Sequence, residues 1–172
     1  MGQLDRQFMV VNVQDSLQNY SYELVAPIGQ KFATDFTPEL APQQMLGLGV
    51  FGAHYFEGEH SEFPLEWFAN AVLSQVHDPT LNYFRVDASQ SREEWIRKGW
   101  IAPEDPRGWF QWYCRYYYGR RLPEEDARQI ARWKNIKRHV SQLQKACHPG
   151  DVLCRPRQRQ ALLHWAYDSR VL

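Results

Sequence analysis

Between Asp105 and Arg121 the chain reads DPRGWFQWYCRYYYGRR, which gathers Trp109, Phe110, Trp112, Tyr113, Tyr116, Tyr117 and Tyr118 into one short run. Rings this dense cannot all face water, so the rest of the chain has to surround them. The punctuation is helical: Asp105 suits a cap, Pro106 the first helical position, and Gly119 a left-handed stop. A helix is therefore predicted over 106–118. On it Arg107, Gln111 and Arg115 fall at i, i+4 and i+8, one polar stripe on an aromatic or sulfur-bearing surface. A helix that is apolar nearly all round belongs at the centre of a fold.

An arginine drawn into that centre needs an anion opposite it, because an unpaired buried charge is costly. Two suppliers are open. Carboxylates of the same chain, Glu93, Glu94, Glu104 or Asp105 for instance, would make the segment a structural spine. A ligand would make it a site, its phosphate or carboxylate forked by arginine and its ring stacked on Tyr and Trp. The residues assigned to that site are Arg107, Gln111, Arg115, Trp112 and Tyr116, with Arg120, Arg121, Arg155, Arg157 and Arg159 as a basic rim. Aromatic stripes at helical spacing are usually core, which favours the spine.

Net charge is zero, but residues 1–105 carry six Lys and Arg against fifteen Asp and Glu, a net of −9, while residues 106–172 carry fourteen against five, a net of +9. The plain expectation is that the acidic half packs on the basic half. An exposed basic surface for nucleic acid is the rival, and an overall neutral domain is atypical of dedicated duplex binders.

Elsewhere, FMVVNV (8–13) and YSYELV (20–25) read as a hairpin joined through QDSLQN. Thr37-Pro38-Glu39 looks like the start of a helix running to Leu46, and a second helix is placed from Pro64 through Leu73. Ser91 and Glu94 have capping-box spacing before a short helix ending at Gly99. The longest helix is expected from Pro123 to Cys147, and a last one from Pro156. With 44% hydrophobic residues the chain can bury a core. No run approaches the ~20 apolar residues needed to cross a bilayer. The first residues lack the zones of a secretory signal, and Gly2 lacks the Ser or Thr that myristoylation needs at the sixth position, which is Arg6. A cytoplasmic protein with no membrane partner is expected.

Several motifs invite chemistry. Gly47-Leu48-Gly49-Val50-Phe51-Gly52 is a literal G-x-G-x-x-G, but a dinucleotide loop needs a strand before it and a helix after it. Here a helix precedes and a loop follows, so Gly47 reads as a helix stop and the others as close-packing glycines. His54 and His60 with Glu57, Glu59 and Glu62 could serve acid–base or metal chemistry, although the spacing matches no known motif and a solvated acidic loop is the simpler reading. His139, Cys147, His148 and Cys154 could hold zinc, but no C-x2-C clamp is present and Cys147 fits the apolar helix stripe. Cys147 and Cys154 could also pair, were the protein exported. No metal and no cofactor is therefore assigned.

The segments LNYFRVDASQS, KGWIAPEDPRGWFQWYCRYYYGRR and CRPRQRQALLHWAYD together resemble a group of hypothetical proteins with which no activity is associated. The resemblance spans roughly residues 20–168; it implies one domain and carries no catalytic or binding residue across. The expectation is thus a mainly α single domain over 1–172, built around the aromatic helix with a small N-terminal β-hairpin. Its expected function is binding of an anionic, aromatic-containing ligand, a nucleotide or a single-stranded nucleic acid, since stacking plus basic charge serves such ligands. The alternatives are a small-molecule enzyme with an arginine anion clamp and His54, His60 or His164 as acid–base, and a protein-interaction module with Trp, Tyr and Arg as its hot spot.

Overall fold

The computed structural model describes residues 8–172; the readings at Gly2 and Arg6 lie outside them. Strands β1 (Met9–Gln14) and β2 (Asn19–Leu24) pair antiparallel, Met9 opposite Leu24 and Gln14 opposite Asn19. Alternation places Val11, Val13 and Tyr22 on one buried face. Asp15 holds the turn, its carboxylate accepting from the backbone N–H groups of Leu17 and Gln18. A two-stranded hairpin is marginal alone. This one is tied down at its exit, where Val25 and Ala26 donate to the Gly119 carbonyl at 3.0 and 3.2 Å. A Cβ on Gly119 would stand 2.3 Å from the Ala26 oxygen, so only glycine allows that approach.

Helix α1 (Pro42–Gly47) is shorter than the helix expected from Thr37 to Leu46. Pro42 cannot continue a helix begun at Pro38, since it has no N–H to give and its ring clashes with the preceding turn. The chain instead starts afresh there, with Gln44 reaching back to the Ala41 N–H at 2.8 Å. The helix expected from Pro64 is a single 3₁₀ turn, Leu65–Phe68. Helix α2 (Arg92–Arg97) is capped by Ser91, whose hydroxyl accepts from Glu94 N–H, while the Glu94 side chain turns to Arg97 instead of closing the box.

The aromatic helix α3 runs from Trp109 to Tyr118, beginning three residues later than predicted. Gly108, at φ 93°, is its cap, and Asp105 turns inward. Trp109, Phe110, Trp112, Tyr113, Cys114 and Tyr116 are buried, and Phe36 meets Trp112, Tyr113, Tyr116 and Trp133 edge to face within 5.6 Å. The helix expected over Pro123–Cys147 is two helices, α4 (Pro123–Ile136) and α5 (Arg138–Ala146), broken at Lys137. The break redirects the axis so that Leu143 of α5 is buried along with Ile130 and Trp133 of α4. Helix α6 (Pro156–His164) closes the core with Leu162 and Leu163. The mainly α description fits residues 109–164; between Val25 and Gly108 the chain is largely turns and short 3₁₀ segments around α1 and α2. No described helix is long and apolar enough to cross a membrane.

Cys147 and Cys154, expected to stay reduced, are joined in a disulfide seven residues apart. Arg159 clasps the loop it closes, donating to the Cys154 and Asp151 carbonyls at 2.8 and 2.9 Å. A loop of this length restricts the unfolded chain by about 2 kcal/mol. Cys147→Ser with Cys154→Ser is expected to lower the unfolding free energy by that amount, read as a lower urea midpoint at unchanged slope. A reducing agent should reproduce the shift in the wild type and leave the double variant unchanged.

Candidate functional site

The polar stripe of the aromatic segment is enclosed by the chain's own acids. Arg107, 3% exposed, pairs with Asp15 at 2.9 Å and Glu59 at 2.5 Å. Arg115, fully buried, takes Glu62 at 2.6 Å, Asp105 at 3.0 Å and the Gln18 side-chain oxygen at 2.7 Å. Arg120 takes the other oxygen of Asp105 at 2.7 Å. Every one of these pairs joins the acidic half to the basic half. Burial works against the Arg115 charge, but Glu62 and Asp105 outweigh it and hold the guanidinium above its ordinary range.

The other assigned residues are likewise engaged or elsewhere. Gln111 accepts from the Arg107 N–H, Trp112 donates to Asp126, and Tyr116 is buried against Phe36. Arg121 lies 3.8 Å over the Tyr116 ring and bonds the Gln30 and Lys31 carbonyls. Arg159 is spent on four backbone carbonyls. Arg155 and Arg157 stand exposed at the head of α6. Protein carboxylates thus fill the centre of the stripe, at Arg107, Arg115 and Arg120.

The histidine–glutamate cluster is divided in part: His54, Glu57 and His60 line one cavity of about 410 Å³, while the two other acids are drawn off. Glu59 and Glu62 serve Arg107 and Arg115, His54 bonds the Ser74 carbonyl, and His60 stacks on Phe68. The disulfide takes both sulfurs that a zinc site would have used. In the glycine motif, a Cβ on Gly49 would stand 2.2 Å from the Leu81 oxygen and one on Gly52 2.5 Å from His77, so both glycines face protein where a phosphate would sit.

One of the open cavities is a cleft of about 240 Å³ at the N-terminal end of α3. Gly108 and Trp109 bring that helix end to it, α4 contributes Arg132 and Ile136, and α6 contributes Ala161 and His164, with Trp165 just beyond. Trp95 and Trp100 form the facing wall. Three features make the cleft hungry for an acceptor. First, the backbone N–H groups of Trp109 and Phe110 have no partner among the described residues, as the opening turn of a helix leaves them. Gln111 N–H, by contrast, is satisfied by the Tyr55 hydroxyl at 3.0 Å. Second, the indole Nε1–H of Trp109, a residue 6% exposed, is buried without an acceptor. Third, Arg132 has no carboxylate within 4.0 Å among the described residues; it bonds only the Trp100 carbonyl and the Gln129 side chain. Its neighbour Glu125 is already taken by Arg128. The Arg132 guanidinium lies 5.5 Å from the Trp100 ring and 5.4 Å from the Trp165 ring. Burial, then the Arg128 charge, push its pKa down to about 10, which still leaves it cationic at neutral pH.

His164 adds a neutral donor. Burial drives its pKa down to about 3. Its Nε2 accepts from Phe51 N–H at 3.2 Å and lies 2.9 Å from the Gln160 amide, so the proton sits on Nδ1. Phe51 stacks on the ring at 4.2 Å.

The cleft residues come from four regions of the chain, near 51–55, 88–109, 132–136 and 161–165, which is why the sequence did not assemble them. One signal was available. On α4, Arg128 has Glu125 three residues before it, whereas Arg132 has Arg128, Gln129, Asn135 and Ile136 at its helical neighbour positions and no acid. No family model, curated protein or solved structure matches the chain.

Proposed function

We propose that this protein binds a small anionic ligand carrying an aromatic ring, in the cleft at the head of α3. The observation that carries this reading is the buried, unanswered Trp109 Nε1–H beside a helix N-terminus and an arginine that lacks a carboxylate. Leaving such a donor dry costs about 1–3 kcal/mol, so an acceptor brought against it by a small shift of the indole would be favoured. The indoles of Trp95, Trp100 and Trp165 offer flat faces to a ring, and the helix end favours negative charge. The cleft lies below the roughly 300–1,000 Å³ usual for ligand pockets, so it suits a single ring system with its acid group and excludes a stacked strand. A small mononucleotide or an aromatic acid fits that description.

The arrangement favours binding over acid–base catalysis. His164 is the histidine in the cleft; its basic nitrogen is occupied, and it stays neutral far below physiological pH. An interaction hot spot would need the Trp, Tyr and Arg side chains of 105–121 on an exposed patch, and most of them are buried. Of location, the Cys147–Cys154 bond speaks for an oxidising compartment, against the cytoplasmic expectation. Fractionation with alkylation of free thiols decides between them.

Titration of tryptophan fluorescence with indole-3-acetate and with adenosine monophosphate tests the cleft. Quenching that saturates is expected for at least one of them. Arg132→Gln should weaken it by about 1.5–3 kcal/mol, the worth of a hydrogen bond to a charged group, which is roughly 10- to 150-fold. Titration without saturation by either probe, or an unchanged affinity in the variant, would remove the reading.

A further inference from the structure

The lining of the cleft carries one charged side chain. Among the described residues Arg132 is that cation, and no aspartate, glutamate or lysine joins it. Lys98 lies over the Trp100 ring at 4.7 Å and donates to Gln90, but it is exposed and outside the lining. The Arg128 charge on the same helix is answered by Glu125 at 2.7 Å. The head of α3 adds roughly half a positive charge. The site therefore covers one negative charge in full and falls short of two. Its donors define the shape of the anion. Both protein bonds of Arg132 leave from Nη1, to the Trp100 carbonyl and the Gln129 side chain. Its Nε and Nη2 have no partner among the described residues and are not sealed from solvent, which leaves one fork of two parallel N–H groups. Such a fork matches the two oxygens of a carboxylate. His164, 2% exposed, adds a second donor to the same lining: its Nδ1–H has no partner and, unlike the Trp109 Nε1–H, is not sealed off. The helix head itself is too closed for a phosphate. Gly108 N–H is spent on the Asp105 carbonyl at 2.9 Å, and a Cβ on Gly108 would meet Ile101 at 3.3 Å and the Trp95 ring at 3.5 Å.

We infer that the ligand is an aromatic monocarboxylic acid, its carboxylate held side-on by the Nε–Nη2 edge of Arg132 and its ring among the indoles of Trp95, Trp100 and Trp165. This names the ligand class of the cleft proposed above and rests on that reading. A phosphomonoester carries roughly 1.5 to 2 negative charges at neutral pH. In this cleft the excess would stand uncompensated against walls that are mostly aromatic and aliphatic, which is costly. Of the two ligand types that suit the cleft by size, the aromatic acid is kept and the mononucleotide is set aside.

The test is calorimetric titration of the intact protein with two probes that share one ring system, indole-3-acetate and indoxyl phosphate. At about pH 8 the phosphate ester is a dianion, since its second pKa is about 6. Indole-3-acetate is expected to bind about tenfold or more tightly than indoxyl phosphate. Arg132→Lys keeps the charge and removes the fork, so it should weaken indole-3-acetate by about tenfold or more. Indoxyl phosphate binding as tightly as indole-3-acetate, or more tightly, overturns the carboxylate and leaves the cleft standing. Wild-type affinity for indole-3-acetate in Arg132→Lys overturns the side-on fork. Saturation by neither probe overturns the cleft and the carboxylate together. The comparison of the two probes is made on the wild type, so it stands even where the variant folds poorly, which its circular dichroism melt reports.

Discussion

Asp105→Ala is expected to destabilise the protein by about 3–5 kcal/mol, enough to consume much of a stability margin of roughly 5–15 kcal/mol. Asp105 is fully buried and holds two buried arginines, Arg115 at 3.0 Å and Arg120 at 2.7 Å. Removing it leaves both guanidinium groups in the interior with one shared partner gone. Arg115 keeps Glu62, but Arg120 keeps only a long contact to the Tyr20 hydroxyl at 3.4 Å, and its Nε already lacks a partner. Urea unfolding followed by fluorescence measures the loss. Glu94→Gln breaks the exposed pair with Arg97 and provides the contrast, with no measurable change expected. If the two substitutions behave alike, the buried network is not what holds the hairpin and α3 together.

The second large effect is acid sensitivity from one histidine. His164 has its pKa pushed down to about 3 in the fold, against 6.5 for the free side chain, because burial disfavours its charged form. Below pH 6.5 the unfolded chain therefore takes up a proton that the folded chain refuses. The stability associated with a neutral His164 is fully present above pH 6.5 and is lost as pH falls toward 3. The slope is roughly 1.4 kcal/mol per pH unit, or on the order of 3 kcal/mol between pH 7 and pH 4. His164→Gln removes the proton while keeping an acceptor for Phe51 N–H. It should flatten the dependence by that amount, measured as the difference in urea midpoints at the two pH values. A variant with the wild-type slope assigns the acid sensitivity elsewhere, to carboxylates such as Asp15, whose pKa the fold lowers through hydrogen bonds from Leu17 and Gln18 and the Arg107 charge, despite burial acting the other way.

Local signals in the sequence carried a good part of the architecture. Two runs rich in β-branched and aromatic residues, joined through the polar QDSLQN, marked the hairpin, Ser91 marked its helix, and the density of rings over 109–118 marked the core. The −9 and +9 halves anticipated the pairing of Arg107, Arg115 and Arg120 with acids from the first 105 residues. Boundaries failed where two local signals competed. Thr37-Pro38-Glu39 read as a helix start, but Pro42, which has no N–H to give, makes the helix begin afresh there. The break at Lys137 left no mark, since neither glycine nor proline stands there. The site was harder to read because its features are leftovers. An indole N–H without an acceptor and an arginine without an acid become visible only when every other pairing is known. The aromatic helix does organise the cleft, through its first turn and not through the stripe of arginines along its side.

Synthesis runs from the acidic end. By the time residue 105 is joined, fifteen carboxylates and six basic side chains have been made, and Asp15, Glu59, Glu62 and Asp105 have none of the arginines that will neutralise them. The hairpin has no Gly119 carbonyl to hook onto, and Phe36 has no Trp112 or Trp133 to pack against. Residues 1–105 taken alone are therefore a net-acidic stretch whose carboxylates lack their partners until the basic side chains arrive. The last third, arriving with the counter-charge and the aromatic core together, is the part on which the earlier two-thirds close.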